Sequence, residues 1–308
     1  MNNLYRVGLN CFKRILFVLI ILYTVSCQSN KSERQTFKSP DLSAQLGPVA
    51  SMDSIANHLI KVRKTVGTTR ALALHYPDLS EDEAYKIQMT MLSKLEEQGE
   101  RVAGWKMGGA KVTDASKPFK PLFGFMLASL EVKSGGVADH RQYVNGSPLV
   151  EAEVGFLIKK DLSGPVISRD DLLEAIGGVG GFSELISIRV RDAEGGTKAA
   201  TAQAIADGLS NGGYVCPKTL RSLDEVNLSK IEAQVIINGQ LKARGNSMGY
   251  RFIDAVLYLA NTLPKYGRYL RAGDVVITGS LLDSPPAKIG DQVEITFSAF
   301  NPLNINST

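Results

Sequence analysis

Cysteine is nearly absent from this chain: three in 308 residues, two of them, Cys11 and Cys27, near the start. Cys216 alone remains for the body of the protein, which excludes an intramolecular disulfide framework and leaves stability to the core. It follows the apolar pair Tyr214-Val215 and precedes Pro217, a setting for a buried structural thiol rather than a nucleophile. Histidine is as sparse. His58, His75 and His140 are scattered, and no Cys/His spacing of a zinc site occurs. A charge excess is missing too. The formal net charge is +4, but Arg6, Lys13 and Arg14 stand in a segment without an acid, and the rest balances at 32 basic to 31 acidic residues. No basic tract is left to argue for nucleic acid. The longest apolar run near the start, Ile15 to Leu22, falls short of the roughly 20 residues of a membrane span.

What is present begins with that N-terminus. A positive start, a short apolar core and small residues before Cys27 read as a secretion signal over residues 1–26. Thr24-Val25-Ser26-Cys27 resembles a relaxed bacterial lipobox, which implies lipid on Cys27 and a mature chain that starts there. Residues 27–50 are then expected to be a flexible polar tether. The chain would be held at a bacterial membrane, in the cell envelope, facing the periplasm or the outer surface. The alternative is an uncleaved anchor with a chance cysteine.

Residues 51–100 read as a helical segment. Met52, Ile55, Ala56, Leu59 and Ile60 recur at helical spacing, and Ser80-Glu81-Asp82-Glu83 is a capping box ahead of Ala84, Ile87, Met91 and Leu95. From residue 101 the texture changes to short apolar runs broken by glycine, of which the chain has 29. Strands are expected over Val150–Ile158, Phe182–Val190, Asp274–Thr278 and Gln292–Phe297, with a hairpin turning at Asn238-Gly239. Helices are expected over Asp170–Ile176, behind Ser168, and over Phe252–Leu263. The fold class is α+β, with residues 101–308 as a strand-dominated domain behind an N-terminal appendage.

The strongest chemical signal is Val150-Glu151-Ala152-Glu153-Val154. Strand side chains alternate, so both glutamates project from one face. Two such carboxylates among apolar neighbours repel, and a hard cation with a preference for oxygen, Mg²⁺ or Mn²⁺, resolves the conflict. The alternative is a solvent-facing edge with ordinary glutamates. Glu184, alone in the apolar strand expected after a glycine-rich turn at Gly180-Gly181, is a third candidate ligand, unless it pairs with Arg189 or Arg191. Lys106, among glycines and apolar residues, is expected to have a depressed pKa and to exchange protons, unless it merely snorkels from a strand end.

These residues sit in five ordered motifs: Arg101-Val-Ala-Gly-Trp-Lys106-Met-Gly, Val150 to Leu162, Glu184-Leu-Ile-Ser-Ile-Arg189, Ala206 to Val215, and Leu270 to Ser280. Together the motifs resemble 2-oxopent-4-enoate hydratase and 4-oxalocrotonate decarboxylase, within the fumarylacetoacetate hydrolase superfamily, from about Ser51 to the C-terminus. The resemblance implies a mixed β-sheet roll, one Mg²⁺ or Mn²⁺ on Glu151, Glu153 and Glu184, Lys106 as the active-site lysine, and Ser210 near the substrate carboxylate. It also implies a small 2-oxo acid as substrate and a homo-oligomer. Two departures stand out. Phe123 to Met126 lacks an Asp that relatives carry, and Gln203-Ala-Ile-Ala-Asp207-Gly208 lacks the first Asp and last Asn of the family pattern.

The expected function is therefore a lyase, in which the metal chelates the 2-oxo acid and stabilises an enolate while Lys106 moves a proton. Hydration of 2-hydroxypenta-2,4-dienoate is the leading expectation and decarboxylation shares its enolate. Hydrolysis of an acylpyruvate ranks behind them, with His140 the one candidate base. A surface lipoprotein that binds metal-chelating acids without turnover is the alternative of another class.

Overall fold

The computed structural model describes residues 37–308 apart from 165, 197 and 198. The expected signal segment and Cys27 lie outside the described residues.

Both N-terminal helices start where capping chemistry places them. In α1 (Met52–Lys64) the Ser51 hydroxyl accepts from the Ser54 amide, and Ile55, Ala56, Leu59, Ile60 and Val62 form the buried stripe. A short α2 (Ala71–His75) follows. The capping box of Ser80 and Glu83 opens α3 (Glu81–Glu97), whose buried face includes Ala84, Ile87, Met91, Leu92 and Leu95. The chain then runs through β1 (Val102–Gly108), β2 (Leu122–Leu127), β3 (Glu131–Lys133), β4 (Val137–Ala138) and β5 (Leu149–Ile158). After α4 (Arg169–Ala175), opened by the Ser168/Asp171 capping box, come β6 (Ile176–Ile186), α5 (Thr201–Ala206), β7 (Asn211–Cys216), β8 (Glu232–Ile237) and β9 (Gln240–Asn246). The last elements are α6 (Phe252–Thr262), β10 (Val275–Ser280), β11 (Gln292–Phe297) and β12 (Leu303–Ser307).

Among the described residues the strands form two sheets. One has the order β2-β1-β10-β5-β6-β7-β3 and the other β4-β12-β11-β8-β9. Both are mixed: β1 runs parallel to β10, β3 to β7 and β4 to β12, and the remaining pairs are antiparallel. The larger sheet curls until β2 lies against β7. The smaller packs on it through β5 and β8 and through β6 and β12. This is the α+β roll expected from the sequence. No helix among the described residues is long and apolar enough to cross a membrane.

Four expectations change. The glycine-rich stretch before Glu184 is not a turn: β6 starts at Ile176 and carries Gly177, Gly178, Gly180 and Gly181 within it. The glycines admit aromatic rings, since a Cβ on Gly181 would lie 2.5 Å from the Phe297 ring and one on Gly155 2.4 Å from that of Phe182. The same strand ends at Ile186 rather than Val190, because Ser187 turns its hydroxyl to the Val144 amide and Val190 bridges to Thr69 instead. Nor are the N-terminal helices an appendage. The described residues form one compact unit with a continuous core. The Gln88 side chain on α3 donates to the carbonyls of Phe123 and Ile205. The expected tether is also shorter at its far end, where the Leu42 amide donates to the Thr68 carbonyl and the Thr68 amide to the Pro40 carbonyl, each at 2.8 Å.

Candidate metal centre

Strand geometry brings the three glutamates together. Glu151 and Glu153 share a face of β5, and Glu151 stands opposite Glu184 in the antiparallel pairing with β6. One oxygen of each carboxylate lies within 4.8 Å of the others. Glu153 and Glu184 are fully buried, while Glu151 is half-buried. The alternative of a solvent-facing edge is thereby removed, as is the pairing of Glu184 with Arg189 or Arg191. Glu184 faces Lys106 instead, with Nζ 2.9 Å from Oε2.

Lys106 sits on β1, three strands from β6, and reaches Glu184 across the interior of the curled sheet. Its ammonium also donates to the Leu209 carbonyl at 3.3 Å. It is not a strand-end snorkel, being only 6% exposed. Burial is the largest influence on it and lowers its pKa, but Glu184, Glu151 and Glu153 together more than offset this. The expectation of a depressed lysine is thus corrected: in this arrangement the ammonium is held above its ordinary value.

The carboxylates carry the opposite strain. Burial, reinforced by Glu184 and Glu151, pushes Glu153 well above the usual carboxylate range. Burial also raises Glu184, against the pull of Lys106. Each of the three also accepts from an uncharged donor. Glu153 Oε2 accepts from the Gly279 amide at 2.6 Å, Glu184 Oε1 from the Asn211 side chain at 2.9 Å, and Glu151 Oε1 from the Ser284 hydroxyl at 2.7 Å. Glu153 Oε1 is buried with no hydrogen-bond partner. Three carboxylates against one ammonium, with an orphaned oxygen, is an electrostatic deficit of the kind a divalent oxygen-seeking cation removes. The donor set therefore fits Mg²⁺ or Mn²⁺.

Ser210 belongs to the turn that touches this centre. Gly208, Leu209 and Ser210 are all left-handed, with φ of 69°, 54° and 61°. For Leu209 and Ser210 that conformation costs of order 1 kcal/mol each. It aims the Leu209 carbonyl at Lys106 and the Asn211 amide at Glu184. Behind the turn, Arg189 donates to both oxygens of Asp207 at 3.1 Å, and the Asn211 carbonyl accepts from Arg63 and Arg189 at 2.9 Å. Arg63 also donates to the Asp207 carbonyl at 3.0 Å. These bonds over-determine the strained turn.

Sequence reasoning missed Asn211, the Gly279 amide, Ser284 and the Arg63–Asp207–Arg189 cluster. Asn211 and Gly279 sat inside motifs already noted, and a polar residue flanking a glycine beside a suspected ligand was the available signal. Arg63 gave none, being 144 residues from Asp207. His140, the candidate base for hydrolysis, turns its ring nitrogen to the carbonyl of Thr308, and β4 with its partner β12 belongs to the second sheet. Cys216 is half-buried on β7, and burial pushes its thiol up to about 12, against any role as a nucleophile.

The fold and the site together define a β-roll with a buried carboxylate centre and an attendant lysine. Residues 93–305 match the fumarylacetoacetate (FAA) hydrolase C-terminal family, and the chain belongs to that family. It is 30% identical over 261 residues to the 2-hydroxyhexa-2,4-dienoate hydratase of Comamonas testosteroni, covering 83% of this chain and 97% of that one. It is 24% identical over 257 residues to the 4-oxalocrotonate decarboxylase of Pseudomonas putida, with 82% and 94% covered. Among solved structures, the 4-oxalocrotonate decarboxylase of Pseudomonas putida G7, complexed with magnesium and adipate, superposes with a TM-score of 0.74 at 24% identity over 83% of this chain and 97% of the other.

Proposed function

We propose that this chain is a divalent-metal-dependent lyase on a small 2-oxo acid, a hydratase of 2-hydroxypenta-2,4-dienoate (2-oxopent-4-enoate) type. The observation that carries this is the buried trio Glu151, Glu153 and Glu184, one oxygen of it unpartnered, with the Lys106 ammonium 2.9 Å from Glu184. The trio would hold Mg²⁺ or Mn²⁺, which supplies positive charge beside the 2-oxo and carboxylate oxygens of the substrate, where enolate charge develops. The remaining work falls to the chain itself. Lys106 Nζ, an ammonium fixed between Glu184 and the Leu209 carbonyl, donates the proton to carbon and is recharged by the proton that the water adding across the 4,5 double bond gives up. Ser210, next to that carbonyl, offers its hydroxyl to the substrate carboxylate. Asn211 holds Glu184 in place.

Decarboxylation of a 4-oxalocrotonate-type acid is the second reading, favoured by the Pro121-Leu122-Phe123-Gly124 segment and by the decarboxylase relative. It uses the same residues, since loss of CO₂ leaves the same enolate. One assay separates the two. The protein is incubated with 2-hydroxypenta-2,4-dienoate and with 4-oxalocrotonate, each with Mg²⁺ or Mn²⁺ and after chelation. Metal-dependent loss of the dienoate, abolished in Lys106→Met, is expected. CO₂ release from 4-oxalocrotonate alone selects the second reading. Turnover that survives chelation contradicts both, and metal-dependent binding without turnover of either acid selects an inactive binding protein.

Lipid anchoring through Cys27 in the cell envelope and assembly as a homo-oligomer complete the proposal. The first is supported by the basic start, apolar core and Thr24-Val25-Ser26-Cys27 segment, the second by the family likeness alone. Labelled fatty acid should enter the wild-type chain and not Cys27→Ala.

A further inference from the structure

Both glutamates of β5 take their uncharged donors from one short stretch, residues 279–284, at the end of β10 and just past it. Gly279 gives its amide to Glu153 and Ser284 its hydroxyl to Glu151. An amide within a strand ladder is ordinarily spent on the neighbouring strand. Here a bulge frees it. Ile277 pairs with Gly155 and Ser280 with Glu153, so Thr278 and Gly279 together stand opposite Val154. Gly279 absorbs the extra residue at φ 96°, a left-handed conformation that suits glycine. The Thr278 hydroxyl donates to the Val154 carbonyl at 2.6 Å, and Leu281 resumes the ladder with a bond to the Ala152 carbonyl at 2.9 Å.

Two contacts hold this stretch from outside the ladder. One is close approach: a side chain on Gly245 of β9 would run into the Leu281 carbonyl. The other is Tyr250, whose hydroxyl donates to the carbonyl of Ser280, the residue next to Gly279 and opposite Glu153. The Tyr250 ring is itself fixed, stacked on Phe252 with ring centres 5.1 Å apart. Burial, then the charges of Glu153 and Glu151, pushes the phenol up to about 12, so the hydroxyl keeps its proton. The ring also lines a half-open cleft of about 610 Å³, where a phenol could serve a substrate directly. Its one proton, however, is already spent on the Ser280 carbonyl.

We propose that Tyr250 is a positioning residue of the metal centre: through the Ser280 carbonyl it holds the bulge so that Gly279 meets Glu153 and Ser284 meets Glu151. A loosened stretch leaves both carboxylates free to turn away from the geometry a divalent cation requires. The inference rests on the proposed metal-dependent function and adds a residue that lies outside the five motifs of the family likeness.

Tyr250→Phe keeps the ring, its stacking and the cleft wall and removes only the hydroxyl. Mg²⁺ is titrated calorimetrically into the metal-stripped full protein, and kcat and KM for 2-hydroxypenta-2,4-dienoate are measured with Mg²⁺ saturating. The expected result is Mg²⁺ affinity about fivefold weaker, the scale of one hydrogen bond. With the metal loaded, kcat and KM should stay near wild type. Ser284→Ala should also weaken Mg²⁺ binding, and the double variant by less than the product of the two factors, because both losses act on one stretch. Factors that multiply in full overturn the shared route. Unchanged affinity with lowered urea stability makes the hydroxyl a purely structural bond and overturns the inference. A lowered kcat at saturating Mg²⁺ with affinity intact overturns it too, by making Tyr250 a catalytic residue. If the dienoate is not turned over, the affinity measurements alone decide the inference. Wild-type protein that binds no Mg²⁺ removes the proposed function and the inference with it.

Discussion

Two buried charge clusters meet at the turn formed by residues 207–211, and they are built to opposite plans. On one side, Glu151, Glu153 and Glu184 face a single cation, Lys106, and Glu153 Oε1 has no partner. On the other, Arg63 and Arg189 face a single anion, Asp207. Most of that second excess is met by the chain itself, because the Asn211 and Asp207 carbonyls accept from the guanidinium groups and leave Arg63 Nε as the one buried guanidinium nitrogen of the pair without a partner. Burial, then the neighbouring Arg189, still lowers Arg63 to about 9. The difference separates scaffold from site: a buried charge cluster completed by backbone holds structure, and one left short of positive charge holds a ligand.

The sharpest way to break this comparison is to neutralise the acidic side. In Glu151→Gln, Glu153→Gln, metal binding and turnover should vanish, while the urea stability of the metal-free protein should hold or rise as carboxylate repulsion is removed. A loss of stability would make the trio structural, like its neighbour. Asp207→Asn should do the reverse. It strands two guanidinium groups in the interior, at a cost of about 3–5 kcal/mol in urea unfolding. Gly124→Ala comes next. A Cβ there would sit 2.3 Å from the Gly208 carbonyl oxygen, so the strained turn must move. About 1–3 kcal/mol of stability should be lost, together with metal affinity, since Asn211 moves with the turn. If affinity is unchanged, the turn does not position Glu184.

The smallest effect belongs to a group outside both clusters. His58 is buried against the Thr69 hydroxyl at 2.9 Å, and burial, then Lys61, lowers its pKa below the ordinary 6.5. The native state therefore binds fewer protons than the unfolded one in this window. Its contribution is full above pH 6.5 and is lost as pH falls through the depressed native value. His58→Gln should flatten the slope of stability against pH just below 6.5, and an unchanged slope would assign that slope to other groups.

Much of this was legible beforehand because it is local. Capping boxes at Ser80 and Ser168, the Asn238-Gly239 turn and the alternation at Glu151-Ala152-Glu153 are signals a few residues long. Glu184 stood out because a lone carboxylate among apolar residues demands a partner. What stayed hidden depended on distant residues. The glycines of β6 look like a turn until Phe297 of the other sheet is seen packed on Gly181. Lys106 looks like a depressed lysine until three carboxylates from β5 and β6 surround it. Arg189 was available to Glu184 in sequence, yet Asp207, brought in by α5, takes it.

The most direct test of the central claim is a calorimetric titration of the metal-stripped protein with Mg²⁺ and Mn²⁺, with oxalate present and absent, beside Glu184→Gln. The account predicts metal binding that tightens with oxalate and is lost in the variant. Absence of metal binding in the wild type, or binding indifferent to Glu184, would contradict it.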